Sequence, residues 1–349
     1  GPHLNPSHLQ PTMTLISSSQ AIPTEHLPNA GPQSYAFTFV CQKGVLEGLS
    51  LLLVASLKRF LRCKYELIAA VPTPGSKRGD LSRTTYRLLE EMGVRIEYFD
   101  NPIGGDRKGD LLTNKIYCFN IPTQMEKTVF LDSDLLCLKD FVGNRRFSAP
   151  FNAAPTFLAT GKNWEQVYQA VGLSNPESTM FPLFSDELQP PYFNSGFVAI
   201  DTELASTLFN TWLTCFNQIN DSKAMEDNLY FREQVSLALA VIKMGLNYDT
   251  LDKNYNFWVK AHPLDEAALP YFLHHTWPNP PIYHQPHLIE LVRSLVADYP
   301  QMKPLVAKTR WKYYLRPDWM TAINQRIFAK RPMLRKLVGK PLADAIVTV

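Results

Sequence analysis

Thr128-Val129-Phe130-Leu131-Asp132-Ser133-Asp134-Leu135-Leu136-Cys137-Leu138 decides the reading of this chain. The first four residues form an apolar run that reads as a buried strand. Two carboxylates follow it, and then four more apolar residues. In an extended segment residues i and i+2 face the same side, so Asp132 and Asp134 are expected to converge at the carboxyl end of the strand. Two carboxylates at an apolar edge are costly without a counter-ion. A hard divalent cation prefers such oxygen ligands. A cation there bridges to a diphosphate and neutralises its charge as it leaves. A lone Asp-x-Asp also occurs in surface turns, and the apolar flanks set this one apart.

Working outward, the pattern is α/β. Upstream, Tyr35–Cys41, Tyr65–Val71 and Val94–Phe99 read as strands. Pro72 stops the second, and Asp100-Asn101-Pro102 ends the third. Gly44–Phe60, Leu81–Met92 and Asp110–Phe119 have helical apolar spacing, with Gly93 placed to cap the second. Alternating strands and helices predict a mostly parallel, Rossmann-like sheet with right-handed crossovers, flanked by helices. Ligands bind such sheets at the carboxyl ends of the strands. Downstream, Phe193–Asp201 reads as a strand and Gln234–Met244 as a helix. Residues 262–287 are dense in Pro, His and aromatics and read as loops around a site.

Composition narrows the classes. The chain has 349 residues, 45% of them hydrophobic and 19% charged, which excludes global disorder. Residues 1–33 lack periodicity and read as a flexible tail. The opening Gly1-Pro2 reads as a protease-cleavage remnant. Residues 34–300 form the main domain in this reading, and 301–349 a basic, aromatic, helical extension. The five cysteines have no CxxC pair, which speaks against a zinc site or a disulfide framework and for reduced thiols. The most apolar run, Leu49–Leu57, is about half of a bilayer span. No secretory signal is visible, so a cytoplasmic protein is expected.

The net charge of +3 argues against a dedicated nucleic-acid binder. It hides an asymmetry. Residues 303–340 hold eleven basic side chains against Asp318 alone, a local +10 that leaves −7 for the rest. Trp311, Tyr313, Tyr314, Trp319 and Phe328 are interleaved with them. Such a stretch suits an anionic membrane surface, with the aromatics at headgroup level. RNA binding and a solvated helical face are the alternatives.

Thr113-Asn114-Lys115-Ile116 through VFLDSDLLCLKDF (129–141) resembles the donor-binding segment of the family-eight glycosyltransferases, which include glycogenin and bacterial lipopolysaccharide galactosyltransferases. Four further blocks agree in order. They are Gly44-Val45-Leu46-Glu47-Gly48 through Leu57, Phe193-Asn194-Ser195-Gly196-Phe197, Glu233-Gln234, and Tyr255-Asn256-Phe257. The resemblance covers roughly residues 35–284. It implies a GT-A fold holding a nucleotide sugar and Mn²⁺ or Mg²⁺, with sugar transfer, retaining in stereochemistry, from UDP to a glycan, glycolipid or protein hydroxyl. It implies that Asp132, Asp134 and His274 hold the metal, with His275 and His284 as alternatives. It places the base near Cys41, Gln42 and Lys43, and the diphosphate near Lys115. Ser133, Asn194, Ser195 and Gly196 then line the donor pocket, and Asn194, Glu233 and Gln234 carry the catalytic and sugar-contacting roles.

Arg83 opens a helix at the sheet's edge, where a guanidinium can fork onto a phosphate. Trp258, Tyr255 and Trp277 are candidates to stack on sugar faces, or are core residues. The chain also departs from the family. Phe272-Leu273-His274-His275-Thr276-Trp277-Pro278 lacks the Gly and Lys of the family's closing block, and Glu233 is one methylene longer than the family's Asp. Those departures leave an inverting enzyme open, with Glu233 or Asp227 as base. A sugar-phosphate nucleotidyltransferase and a non-catalytic glycan- or membrane-binding scaffold are the other readings. The first should carry a Gly-rich basic loop after the first strand, and Cys41-Gln42-Lys43-Gly44 is a poor one.

Overall fold

The computed structural model describes residues 32–339, apart from 106, 142–146, 158–162, 175, 259–263 and 275–284. All but the last two residues of the expected tail, and also His275, Trp277, His284 and Lys340, lie outside the described residues.

A seven-stranded sheet is the centre of the molecule. Its strands are β1 (Ser34–Val40), β2 (Lys64–Pro72), β3 (Val94–Phe99), β4 (Lys127–Leu131), β6 (Phe151–Pro155), β7 (Phe193–Asp201) and β8 (Tyr248–Thr250), in the order β3-β2-β1-β4-β7-β6-β8. β7 runs against the others. Helices α1 (Val45–Phe60), α2 (Arg83–Glu91), α3 (Trp164–Ala170), α4 (Thr202–Ser222), α5 (Arg232–Lys243) and α6 (Pro286–Asp298) flank it. The short α7 (Lys303–Val306) and then α8 (Asp318–Ala329) and α9 (Arg331–Val338) follow. This is the α/β, GT-A-like architecture that the resemblance implies.

Period-two alternation explains the layering. Tyr35, Phe37 and Phe39 of β1 enter one core with α1, α2, α6 and α7. Val40 at the end of β1, Ala70 of β2 and Phe130 of β4 enter a second core with Trp212 of α4 and the apolar run of α5. Every residue of β1 is buried, as a strand covered on both faces must be. Gly48 lets α1 approach the C-terminal segment, since a Cβ there would sit 2.4 Å from the Leu305 carbonyl oxygen.

The topology places the site. From β1 the chain moves outward to β2 and β3, then returns to β4 on the other side of β1. A crevice opens at such a switch point, here between the carboxyl ends of β1 and β4. A second, small sheet supplies its far wall. Its strands are β5 (Leu135–Cys137), β10 (Phe272–His274) and β9 (Phe257–Trp258), in the order β5-β10-β9.

The C-terminal segment differs from expectation. Met302, Leu305, Val306, Trp311 and Tyr314 are buried in the first core, so Trp311 and Tyr314 are packing residues and face no membrane. The Arg293 guanidinium fixes this segment by donating to the Tyr314 and Arg316 carbonyls and to Asp318. Beyond it, Trp319 is 64% exposed and Leu337 70% exposed, with Ile323, Met333 and Val338 also exposed. The side chains of Phe328, Arg331 and Arg335 lie outside the described residues. No helix among the described residues is long and apolar enough to cross a membrane. All five cysteines are free thiols.

Candidate functional site

Asp132 and Asp134 converge, but not as neighbours on an extended strand. Asp132 directly follows β4, and the chain turns at once, with the Leu135 N–H donating to the Asp132 carbonyl at 3.0 Å. The Ser133 hydroxyl donates to the Val40 carbonyl and ties the turn to the end of β1. The turn hands the chain to β5 in the second sheet. There, antiparallel pairing sets His274 opposite Leu135, one residue past Asp134. One ligand atom from each of Asp132, Asp134 and His274 lies within 4.8 Å of the other two.

The tautomer of His274 follows from its partners. The Gly196 N–H donates to Asn194 Oδ1 at 2.9 Å, and Asn256 Nδ2 donates to the same oxygen. Asn256 Oδ1 therefore faces His274 Nδ1, at 2.6 Å, and accepts its proton. Nε2 then points at Asp134 Oδ1 at 3.1 Å. Two lone pairs cannot stay at that separation unless a proton or a cation lies between them. Burial works against a charge on His274, but the Asp134 and Asp132 carboxylates outweigh it and raise the imidazole's pKa above its ordinary value. Two carboxylate oxygens and one oriented imidazole nitrogen thus fit a divalent cation. Gly196 is needed beside them, because a Cβ there would lie 3.1 Å from both Asp132 Oδ2 and the His274 ring. Asn256→Ala removes the orienting acceptor and is expected to weaken divalent-metal binding about 10- to 100-fold. Calorimetric titration with Mn²⁺ reads the change, while an unchanged circular dichroism spectrum confirms the fold.

Lys115 is the second centre. Its Nζ lies 2.9 Å from Asp132 Oδ1, 3.1 Å from Ser195 Oγ and 3.7 Å from Glu233 Oε2, and it is almost fully buried. Burial disfavours its charge, yet Asp132 and Glu233 overcome this and raise its pKa. Ser195 Oγ donates to Glu233 Oε2 at 3.2 Å. Burial pushes the Glu233 carboxyl up to about 7, although Lys115 pulls against it. Glu233 Oε1 is buried with no hydrogen-bond partner among the described residues. Gln234 accepts from the Ser195 N–H and donates to the Tyr192 hydroxyl at 2.9 Å.

These groups line one cavity of about 680 Å³. Gln42, Lys115, Asp132, Ser133, Asp134, Asn194, Ser195, Glu233, Gln234 and His274 all face it. Gly196 backs the wall. Cys41 points away into the first core, where burial pushes its thiol up to about 12. Lys43 and Arg83 are exposed outside the cavity wall. Asp227 is exposed too, and Tyr255 is a core aromatic. Trp258 lines the cavity and stacks on Phe157, with centroids 4.6 Å apart and planes at 6°.

Sequence reasoning gave no role to Asn256, Asn114, Tyr192, Tyr230 or Phe231. A signal existed for Tyr192, since it shares a face with Asn194 two residues on. Tyr230 and Phe231 sit on a 3₁₀ turn (Glu226–Phe231) with no periodic pattern to betray them.

Residues 37–245, more than half of the chain, match the family described as the Rhodobacterales glycosyltransferase domain. No curated protein matches the chain. The matched span holds Lys115, Asp132, Asp134, Ser195 and Glu233, while His274 and Asn256 lie beyond it. The site that these residues build on a GT-A-like sheet is thus one of a glycosyltransferase, and the chain belongs to the Rhodobacterales glycosyltransferase domain family.

Proposed function

We propose that this protein moves a sugar from a nucleotide diphosphate donor, UDP in our reading, to a hydroxyl of a glycan, glycolipid or protein acceptor, with retention of configuration. The observation that carries this is the Asp132–Asp134–His274 cluster at the switch-point crevice. Mn²⁺ or Mg²⁺ held by the three residues would supply charge neutralisation at the departing diphosphate. Lys115 adds a buried cation beside Asp132, where that charge would grow. Asn194 keeps its Oδ1 on Gly196 and Asn256 and turns its Nδ2 to the cavity as a donor for sugar hydroxyls. Glu233 Oε1, buried and without a partner among the described residues, suits a hydroxyl donor from the same sugar. Trp258 lines the cavity and brings an apolar ring to it that suits a sugar face. The five sequence blocks support the family-eight relationship that this reading follows.

A panel of UDP-sugars with Mn²⁺ tests it, because slow hydrolysis reports the donor without the acceptor. One donor should release UDP in a metal-dependent way. Release of UDP from none of them, together with no metal-dependent UDP binding by calorimetry, would sink the proposal.

We further propose a peripheral site of action at the cytoplasmic face of an anionic membrane. Exposed Trp319, Ile323, Met333 and Leu337 share α8 and α9 with Arg326 and Lys336, and Lys330 joins the two helices. Each basic side chain near an anionic surface is worth about 1 kcal/mol. Truncation must start after Pro317, since earlier residues belong to the core. The full chain should sediment with phosphatidylserine vesicles, and the truncated chain should not. Equal binding by both would refute this part.

A further inference from the structure

The described residues that line the cavity are buried or half-buried, with two exceptions. Tyr230 is 49% exposed and Phe231 38%, whereas Ser195 and Glu233 on the same lining are 3% exposed. The two aromatics therefore stand at the rim. Their rings meet edge to face, with centroids 5.4 Å apart and planes at 87°. The exposed residues on their turn and on the loop against it are polar: Glu226, Asp227, Asn228, Arg107 and Lys108. A small apolar patch with a polar surround marks an interaction site.

The turn is held firmly. Arg232, the next residue, is only 2% exposed. Its Nε donates to the Leu229 carbonyl at 2.9 Å, and its Nη2 to the Lys108 carbonyl at 3.0 Å and to Asp110 Oδ1 at 2.7 Å. Its Nη1 donates to Asn220 near the end of α4. One guanidinium thus ties together the turn, α4 and the loop before Asp110. Gly109 allows the close fit, since a Cβ there would lie 2.7 Å from the Leu229 carbonyl oxygen and 2.9 Å from Tyr230 Cα. Arg107 adds an outer tie, to Asn220 and Glu226. Packing alone does not account for this clamp, because the rings it steadies give little surface to the core.

We infer that Tyr230 and Phe231 are acceptor-binding residues that stack on a sugar ring of the acceptor, and that Arg232 is the positioning residue that holds them there. This rests on the transferase reading above and narrows its acceptor to one that presents a sugar ring. The metal cluster and Lys115 receive the diphosphate, so the second substrate has to come in past the exposed lining. A sugar ring brings a flat C–H face and a hydroxyl edge. Two aromatic rings at right angles offer it a face to lie on and a phenol to hydrogen-bond. The entropic cost is low, since each ring has two side-chain torsions and the turn is already fixed. An acyl chain needs a longer apolar track, which the polar surround denies. An extended peptide takes its grip from a row of backbone groups along a strand edge, and a 3₁₀ turn is not one.

Maltose, cellobiose and lactose are the probes, offered to the full chain with UDP and Mn²⁺ present and titrated by saturation-transfer NMR. At least one should bind. Tyr230→Ala and Phe231→Ala should each weaken it about tenfold, the upper value of one aromatic stack. UDP affinity, measured by calorimetry with Mn²⁺, should be unchanged in both. Arg232→Lys keeps a charge beside Asp110 but loses the fork, so the disaccharide should weaken with both rings intact and UDP unaffected. A merely structural Arg232 would lower stability in urea and leave the ratio of the two affinities where it was, which would overturn its positioning role. UDP binding without any disaccharide, or disaccharide binding undiminished in both ring variants, would overturn the inference and leave the donor reading intact. A seryl peptide bound through Tyr230 and Phe231 in the disaccharide's place would overturn it equally. Absence of metal-dependent UDP binding would overturn the donor reading, and this one with it.

Discussion

Asp134→Ala should abolish metal-dependent donor binding, with divalent affinity falling by more than about 100-fold, since loss of an outer-shell partner alone costs 10- to 100-fold. Three ligand atoms converge here, and the substitution removes the one nearest to His274 Nε2. What remains is Asp132, already engaged by Lys115, and an imidazole with no carboxylate at 3.1 Å. Calorimetry with Mn²⁺ and UDP on both proteins measures the loss. The metal-free proteins provide an independent reading. In the wild type the folded-state pKa of His274 is raised above 6.5. A group so shifted contributes stability that is fully present below its unfolded pKa and is lost as pH rises through the folded one. Asp134→Ala forfeits that contribution. Its stability deficit in urea should be largest near pH 5 and should narrow above neutrality. Retention of wild-type metal affinity would remove Asp134 from the ligand set.

Why some of this was legible in the sequence, and some not, is a matter of length and range. β1, β2, β4 and the core of α1 announce themselves because a strand or helix buried on every side has to be an apolar run. Asp132 and Asp134 were legible for the same reason, as charges at the end of such a run. The way they converge was not. A turn of four residues separates two sheets there, and only the hydrogen bond from Leu135 to Asp132 distinguishes it from a straight strand. β5, β9 and β10 are two or three residues long, too short to carry a period, yet they put His274 beside Asp134. α4 was missed although Leu208, Trp212, Cys215, Phe216 and Ile219 follow helical spacing, because Thr, Ser and Asn between them dilute it. A helix was expected over Asp110–Phe119; Asp110–Asn120 is a 3₁₀ run, which brings Asn114 to Gln42 and Lys115 to Asp132. Trp311 and Tyr314 resemble interfacial aromatics in composition, and only the packing of α6 and α7 on α1 shows that they are core.

The 3₁₀ run makes Lys115 the most consequential buried charge in the site. Lys115→Met keeps an unbranched side chain one atom shorter but leaves Asp132 and Glu233 without their cation. Removing one partner from a buried pair costs about 3–5 kcal/mol. The cost should depend on pH in a set direction. Burial already holds the Glu233 carboxyl at about 7 against an ordinary 4.5, and Lys115 is what keeps it from rising further. In the variant it rises. A folded-state pKa above the unfolded one means that the native protein binds the extra proton, so stability falls as pH rises from about 4.5 through the folded value. Lys115 itself stays charged across this window, because its own pKa is raised above 10.5. Urea unfolding should therefore find a larger gap between the wild type and Lys115→Met at pH 8 than at pH 5. Adding Glu233→Gln removes the carboxylate that suffers most, so the double variant should recover part of the loss at pH 8 and little at pH 5. A gap that is the same at both pH values, or no recovery in the double variant, would mean that Lys115 serves Asp132 alone and that Glu233 is not coupled to it.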